Sequence, residues 1–204
     1  MKRTFLACML MTLTSVSLAD TLPVTADAVF TFNGQEFTIS QVSTLNETTV
    51  SALSQTNARC QSPCLTPMKV AANVATFGEL DVIDFLSTQV GSGSGLLIDA
   101  RLPEDRVLGF IPASVNIPTA TVSSENPYRD EILMALGAEQ FQGVFSYTDA
   151  MSLVVFDAGP GTTDASVLIT DLLDAGYPPE KIAYYRGGMM VWSTLGLSTT
   201  GATR

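Results

Sequence analysis

Six consecutive residues, Asp157-Ala158-Gly159-Pro160-Gly161-Thr162, carry the strongest chemical signal in this 204-residue chain. They end a short apolar run, Ser152 to Phe156, and precede a segment that sets Val167, Leu168, Leu172 and Leu173 on one helical stripe. A strand feeding a Gly-rich loop into a helix N-terminus turns several backbone N–H groups toward one point above the sheet edge. That geometry suits an anion. Asp157 brings its own negative charge to that point, and the loop holds no Lys, Arg, Cys or His. The pattern therefore predicts either a cradle that the protein fills itself or an Asp that simply caps the turn. The loop N–H groups and the helix dipole are expected to lower the Asp157 pKa and keep it ionised. An attack by Asp157 on a phosphoryl group is disfavoured, because nothing in the loop would neutralise an incoming dianion.

Three other groups of residues invite a chemical reading. Asp99 and Arg101 stand two apart at the end of an apolar run and point the same way, which suits a structural ion pair. Arg186, just before Gly187-Gly188, could reach Asp157 or another acid, while the two glycines permit close backbone approach. Cys60 and Cys64, in the string CQSPC, read as a local disulfide in an oxidising compartment. So small a loop would contribute about 2 kcal/mol at most. A redox or sulfur-relay pair is the alternative, and a metal site is poorer without His. The chain has no histidine at all, which excludes Ser-His-Asp and Cys-His nucleophile pairs and His metal ligands.

Residues 1–19 read as a signal peptide, with Lys2 and Arg3, the apolar stretch Phe5 to Leu13 and the cleavage string Ser17-Leu18-Ala19. Cys8 would leave with it. Cleavage would remove two of the ten basic residues and leave eight against 20 acidic ones, a net charge near −12. Such a surface repels nucleic acid and anionic lipid, and no later segment is apolar enough to span a bilayer. The expected location is the bacterial periplasm or the medium. Neither nucleic acid nor membrane is an expected partner after cleavage.

The elements that must position these residues are legible from pattern. Asn33-Gly34 between Ala28 to Phe32 and Gln35 to Ser40 is a hairpin signal, with Phe30, Phe32, Phe37 and Ile39 on one face. A lone hairpin is marginal in water, so that face should lie on the main domain. Thr76-Phe77-Gly78-Glu79 matches a capping box ahead of Leu80, Ile83, Phe85 and Leu86 at helical spacing. Leu96-Leu97-Ile98 reads as a strand buried on both faces. A brief Val115-Asn116-Ile117, a helix from Tyr128 to Leu136, the central strand-loop-helix, a strand Ile182 to Tyr185 and a short helix through Met190, Val191, Trp192 and Leu195 complete the order. Met189, Met190 and Trp192 could rim a pocket, but core packing suits them better. Strands separated by helical stretches predict an α/β fold with a parallel central sheet and helices on both faces. The domains expected are a signal peptide at 1–19, a hairpin and Cys-x3-Cys segment at 20–69, and the α/β domain at 70–200.

Three strings then resemble one family in register. LLIDARLPEDRVLGFIPASVNIP is similar to the first signature of rhodanese domains, a strand ending in Asp-x-Arg followed by a turn toward Asn-Ile-Pro. RGGMMVWSTLGL resembles their closing Gly-Gly-x-x-x-Trp element, and VVFDAGPGTT sits where they carry the active-site loop. The resemblance implies a rhodanese-like three-layer fold with the hairpin as an appendage. It also implies that Asp99 supports the fold near the loop by accepting backbone N–H groups. In that family the first loop residue is a cysteine whose thiolate carries sulfane sulfur; here Asp157 stands there. Thr162 stands where the loop usually closes with a basic or polar residue, Phe110 where a His is usual, and Ala113-Ser114 where Gly-Ala is usual. A carboxylate cannot hold a persulfide. The sequence therefore points to a catalytically silent periplasmic binding module, needing no cofactor or metal, for an unidentified protein or small molecule. The alternative is a sulfane-sulfur or thiol–disulfide carrier using Cys60 and Cys64.

Overall fold

The computed structural model describes residues 27–41 and 65–201. The first described segment is the hairpin, β1 (Ala28–Phe32) paired antiparallel with β2 (Gln35–Ile39). Asn33 and Gly34 turn the chain with φ of 49° and 77°, the left-handed pair that a two-residue hairpin requires. Its apolar face does lie on the main domain. Phe30 and Ile39 are buried in the same cluster as Leu86, Leu97 and Trp192.

The remaining strands are β3 (Ala75–Phe77), β4 (Gly95–Asp99), β5 (Val115–Asn116), β6 (Glu139–Phe141), β7 (Val144–Ser146), β8 (Ser152–Phe156) and β9 (Ile182–Tyr185). Five of them form one parallel sheet in the order β3-β9-β8-β4-β5. The helices are α1 (Glu79–Phe85), α2 (Pro103–Arg106), α3 (Arg129–Ala135), α4 (Asp164–Asp174) and α5 (Gly188–Thr194). Alternate residues of the central strands enter opposite cores, as a sheet covered on both faces demands. Leu97, Val154, Phe156 and Tyr185 pack with α1, α5 and the hairpin, while Ile98, Leu153, Val155 and Tyr184 pack with α3 and α4. This is the three-layer α/β arrangement that the pattern predicted.

Two local expectations are corrected. Thr76 does not cap α1. It lies within β3, its hydroxyl donates to the Met68 carbonyl, and Gly78 is the N-cap, with Asp81 Oδ2 accepting the Gly78 N–H at 2.8 Å. A three-residue strand running straight into a helix imitates a capping box two residues too early. The second correction is the β6–β7 hairpin, which the pattern did not predict. Its turn residues are Gln142 and Gly143, and Phe141 and Val144 beside them are exposed, so no apolar face announces it.

Candidate functional site

The loop after β8 folds around its own first side chain. Asp157 is 0% exposed. Its Oδ1 accepts the Gly159 N–H at 2.9 Å and its Oδ2 accepts the Ala165 N–H, in the first turn of α4, at 3.1 Å. Thr162 closes the ring: its N–H and hydroxyl both donate to the Gly159 carbonyl, at 3.0 and 2.8 Å. Ala158 is buried with Asp157, while Pro160 and Gly161 are partly exposed at the loop's outer turn. The carboxylate therefore occupies the point on which the amides converge.

The charge state departs from expectation. Burial pushes the Asp157 carboxyl up to about 6, against hydrogen bonds from Ala165, Thr162 and Gly159 that pull it down, and Asp164 nearby adds to the rise. Removing the carboxylate from water outweighs what two amides and a helix end return. The expected lowering is thus reversed.

The helix α5 is stitched beneath this loop. The Met189 N–H donates to the Asp157 carbonyl at 3.0 Å and the Met190 N–H to the Ala158 carbonyl at 2.9 Å. So close an approach requires Gly188, where φ is 57° and an added Cβ would lie 2.5 Å from the Asp157 carbonyl oxygen. Met189 and Trp192 face inward as core residues, and Trp192 Nε1 donates to the Ser198 carbonyl at 2.9 Å.

Beside the loop, Asp99 at the end of β4 is held by two arginines. Arg101 donates from Nε to Oδ1 at 2.9 Å and from Nη2 to Oδ2 at 2.7 Å, with both side chains buried. The Asp99 carboxylate also accepts the Arg101 N–H at 3.2 Å. Arg106, at the end of α2, adds a 2.9 Å contact to Oδ2, donates to the hydroxyl and carbonyl of Ser114, and stacks 3.7 Å from the Phe110 ring centroid. Burial pulls the Arg106 pKa down, opposed by the Asp99 charge. These bonds pin the segment 102–114 to the end of β4. Ala113 within it takes φ of 62°, a conformation that favours glycine.

Arg186 does not reach Asp157. Its Nε donates instead to the Thr66 carbonyl at 2.8 Å. Thr66 in turn donates its N–H to the Pro160 carbonyl at 2.8 Å, while its hydroxyl lies 3.1 Å from both that oxygen and the Tyr184 hydroxyl. Arg106, Thr66, Tyr184 and Ala165 were all missed from the sequence. Arg106 alone left a signal, as one of ten basic residues and only seven positions from Asp99. Thr66 sits in an unpatterned stretch and left none. Cys60, Cys64 and the segment read as a signal lie outside the described residues.

Among the described residues, no group of three or more His, Cys, Asp or Glu is placed to hold a metal ion, and no helix is long and apolar enough to cross a membrane. Residues 83–195 match the profile of the rhodanese-like domain. A provisionally named mitochondrial thiosulfate sulfurtransferase of Schizosaccharomyces pombe is 29% identical over 128 residues, covering 61% of this chain and 81% of that one. The crystal structure of a thiosulfate sulfurtransferase from Pseudomonas aeruginosa aligns over 64% of this chain at 17% identity and TM-score 0.45, and the chain spans 21% of that protein's length. A rhodanese-related protein from Thermoplasma volcanium aligns over 62% of this chain and 98% of its own, at 16% identity and TM-score 0.43.

Proposed function

The chain belongs to the rhodanese-like domain family, and on that footing we propose that it is a catalytically silent member, a binding module that works in the periplasm or outside the cell. The observation that carries this reading is the seat of Asp157. In the register of the family motif that residue holds the nucleophile's place, and its carboxylate occupies the Gly159 and Ala165 N–H groups. A sulfurtransferase needs a thiolate there to form a persulfide and pass its outer sulfur to an acceptor. A carboxylate supplies neither the sulfur nucleophile nor a free amide cradle. The loop is then a rigid surface, and its partner is a protein or small molecule read by what surrounds it. Location outside the cytoplasm is part of the same proposal, resting on residues 1–19 and on the net charge.

A second reading keeps sulfur chemistry and moves it to Cys60 and Cys64. The position of Thr66 favours it. Thr66 is bonded to the loop at Pro160, and Cys64 stands two positions before it in the sequence. One experiment separates the two. Free thiols are counted in the mature protein, and transfer of sulfur from thiosulfate to cyanide is assayed with and without a reductant. The silent reading predicts no turnover in either condition. Thiol-dependent turnover that disappears in Cys60→Ser would transfer the activity to the cysteine pair.

A further inference from the structure

One residue outside the loop is bound by it as a ligand would be. Thr66 is 8% exposed, whereas Leu65 and Met68 are 63% and 62% exposed. The segment thus touches the loop through a single anchor. Every polar group of that anchor is engaged. Its N–H and hydroxyl converge on the two lone pairs of the Pro160 carbonyl, at 2.8 and 3.1 Å. Its carbonyl accepts Arg186 Nε at 2.8 Å. With the hydroxyl proton directed at Pro160, the Tyr184 hydroxyl, 3.1 Å away, becomes a donor to Thr66 Oγ1. Backbone donor, backbone acceptor and side chain of one residue are read by three residues, Pro160 in the loop and Tyr184 and Arg186 at the end of β9.

We propose that Pro160, Tyr184 and Arg186 form a peptide-binding subsite specific for a Thr or Ser residue in an extended segment, and that Thr66 occupies it in cis as a displaceable plug. This rests on reading the domain as a binding module and names the ligand class. The backbone contacts fix the direction of the bound chain, and the paired hydroxyl contacts set specificity. A residue without a hydroxyl leaves both the Tyr184 donor and one Pro160 lone pair unpartnered. Exposed neighbours on both sides give the anchor little apolar burial, so it belongs to the easily opened part of the molecule. Tethering makes the cis segment a strong competitor, so an external peptide succeeds only when the plug is weakened.

The test uses the full chain. Acetyl-Leu-Thr-Pro-Met-Lys-amide and its Val-for-Thr counterpart are titrated into the unaltered protein and into Thr66→Gly, following the Arg186 Nε–H and Gly159 amide resonances. Thr66→Gly is expected to bind the Thr peptide at least about tenfold more tightly than the Val peptide, and at least about tenfold more tightly than the unaltered protein does. Equal affinity for both peptides, or no binding to a folded Thr66→Gly, overturns the proposal. Amide exchange in the unaltered protein supplies a second readout that no folding failure affects. The Thr66 N–H is expected to exchange at least about 100-fold faster than the Val154 N–H of the central strand. Equal protection would mean a fixed strut and would overturn the plug. Sulfur transfer with peptide binding intact would defeat silence alone. No sulfur transfer and no peptide binding would defeat the subsite alone.

Discussion

Asp157 makes stability fall as pH rises through the weakly acidic range. The group titrates at 3.8 when unperturbed and at about 6 in the fold, so the folded state binds its proton more tightly than the unfolded chain does. The stabilisation from that proton is fully present below pH 3.8, fades between there and about 6, and is absent above. At about 1.4 kcal/mol for each pH unit, the window is worth about 3 kcal/mol. Other acids titrate in the same range, so the quantity to follow is the difference between the unaltered protein and Asp157→Asn. The amide keeps one oxygen for one N–H but cannot titrate, and its NH2 faces the second donor, a constant penalty of about 1–3 kcal/mol. Urea unfolding followed by fluorescence of Trp192, the chain's single tryptophan and fully buried, reports the stability of both. The stability of the unaltered protein relative to Asp157→Asn is expected to drop by about 2.4 kcal/mol between pH 4 and pH 7. A difference that rises over that interval would mean that amides and helix dipole dominate burial. A flat one would mean that the carboxyl is not buried as described. Either result refutes the reasoning.

Three further outcomes follow from the same contacts. Gly188→Ala places a methyl 2.5 Å from one backbone atom and 2.7 Å from another at a positive φ, so it is expected to lose more than about 2 kcal/mol in a thermal melt. Arg101→Met leaves the buried Asp99 carboxylate with Arg106 as its remaining ionic partner. It is expected to cost about 3–5 kcal/mol in urea unfolding, and a change under about 1 kcal/mol would show that the pair is dispensable. Tyr184→Phe removes the donor to Thr66 but leaves the Thr66 bonds to Pro160 intact. A loss of about 1 kcal/mol or less is expected, together with faster exchange of the Thr66 amide.

The layers of this fold were readable because the central strands are buried on both faces and the residue types record it. Leu97, Ile98, Val154 and Val155 are apolar without alternation, which only a covered sheet explains. Asn33-Gly34 declared its hairpin through backbone chemistry together with the apolar face of Phe30, Phe32, Phe37 and Ile39 beside it. The hairpin at Gln142-Gly143 did not, because its flanking Phe141 and Val144 remain in solvent and give no core-facing period. At the site, the Asp99–Arg101 pair was legible from spacing along one strand end. The state of Asp157 was not. The sequence displays its hydrogen-bonding partners, whereas the burial that outweighs them is created by α5 and α4 packing against the loop. Thr66 escaped for a related reason: its three partners lie 94 to 120 positions further along the chain.

The most direct test of the central claim is the intact mass of the purified protein after incubation with thiosulfate, with Asp157→Cys as the comparison. With a carboxylate in the cradle, the unaltered protein should show no mass gain, while Asp157→Cys should gain one sulfur atom on the loop. A persulfide on the unaltered protein would contradict the account of this domain as silent.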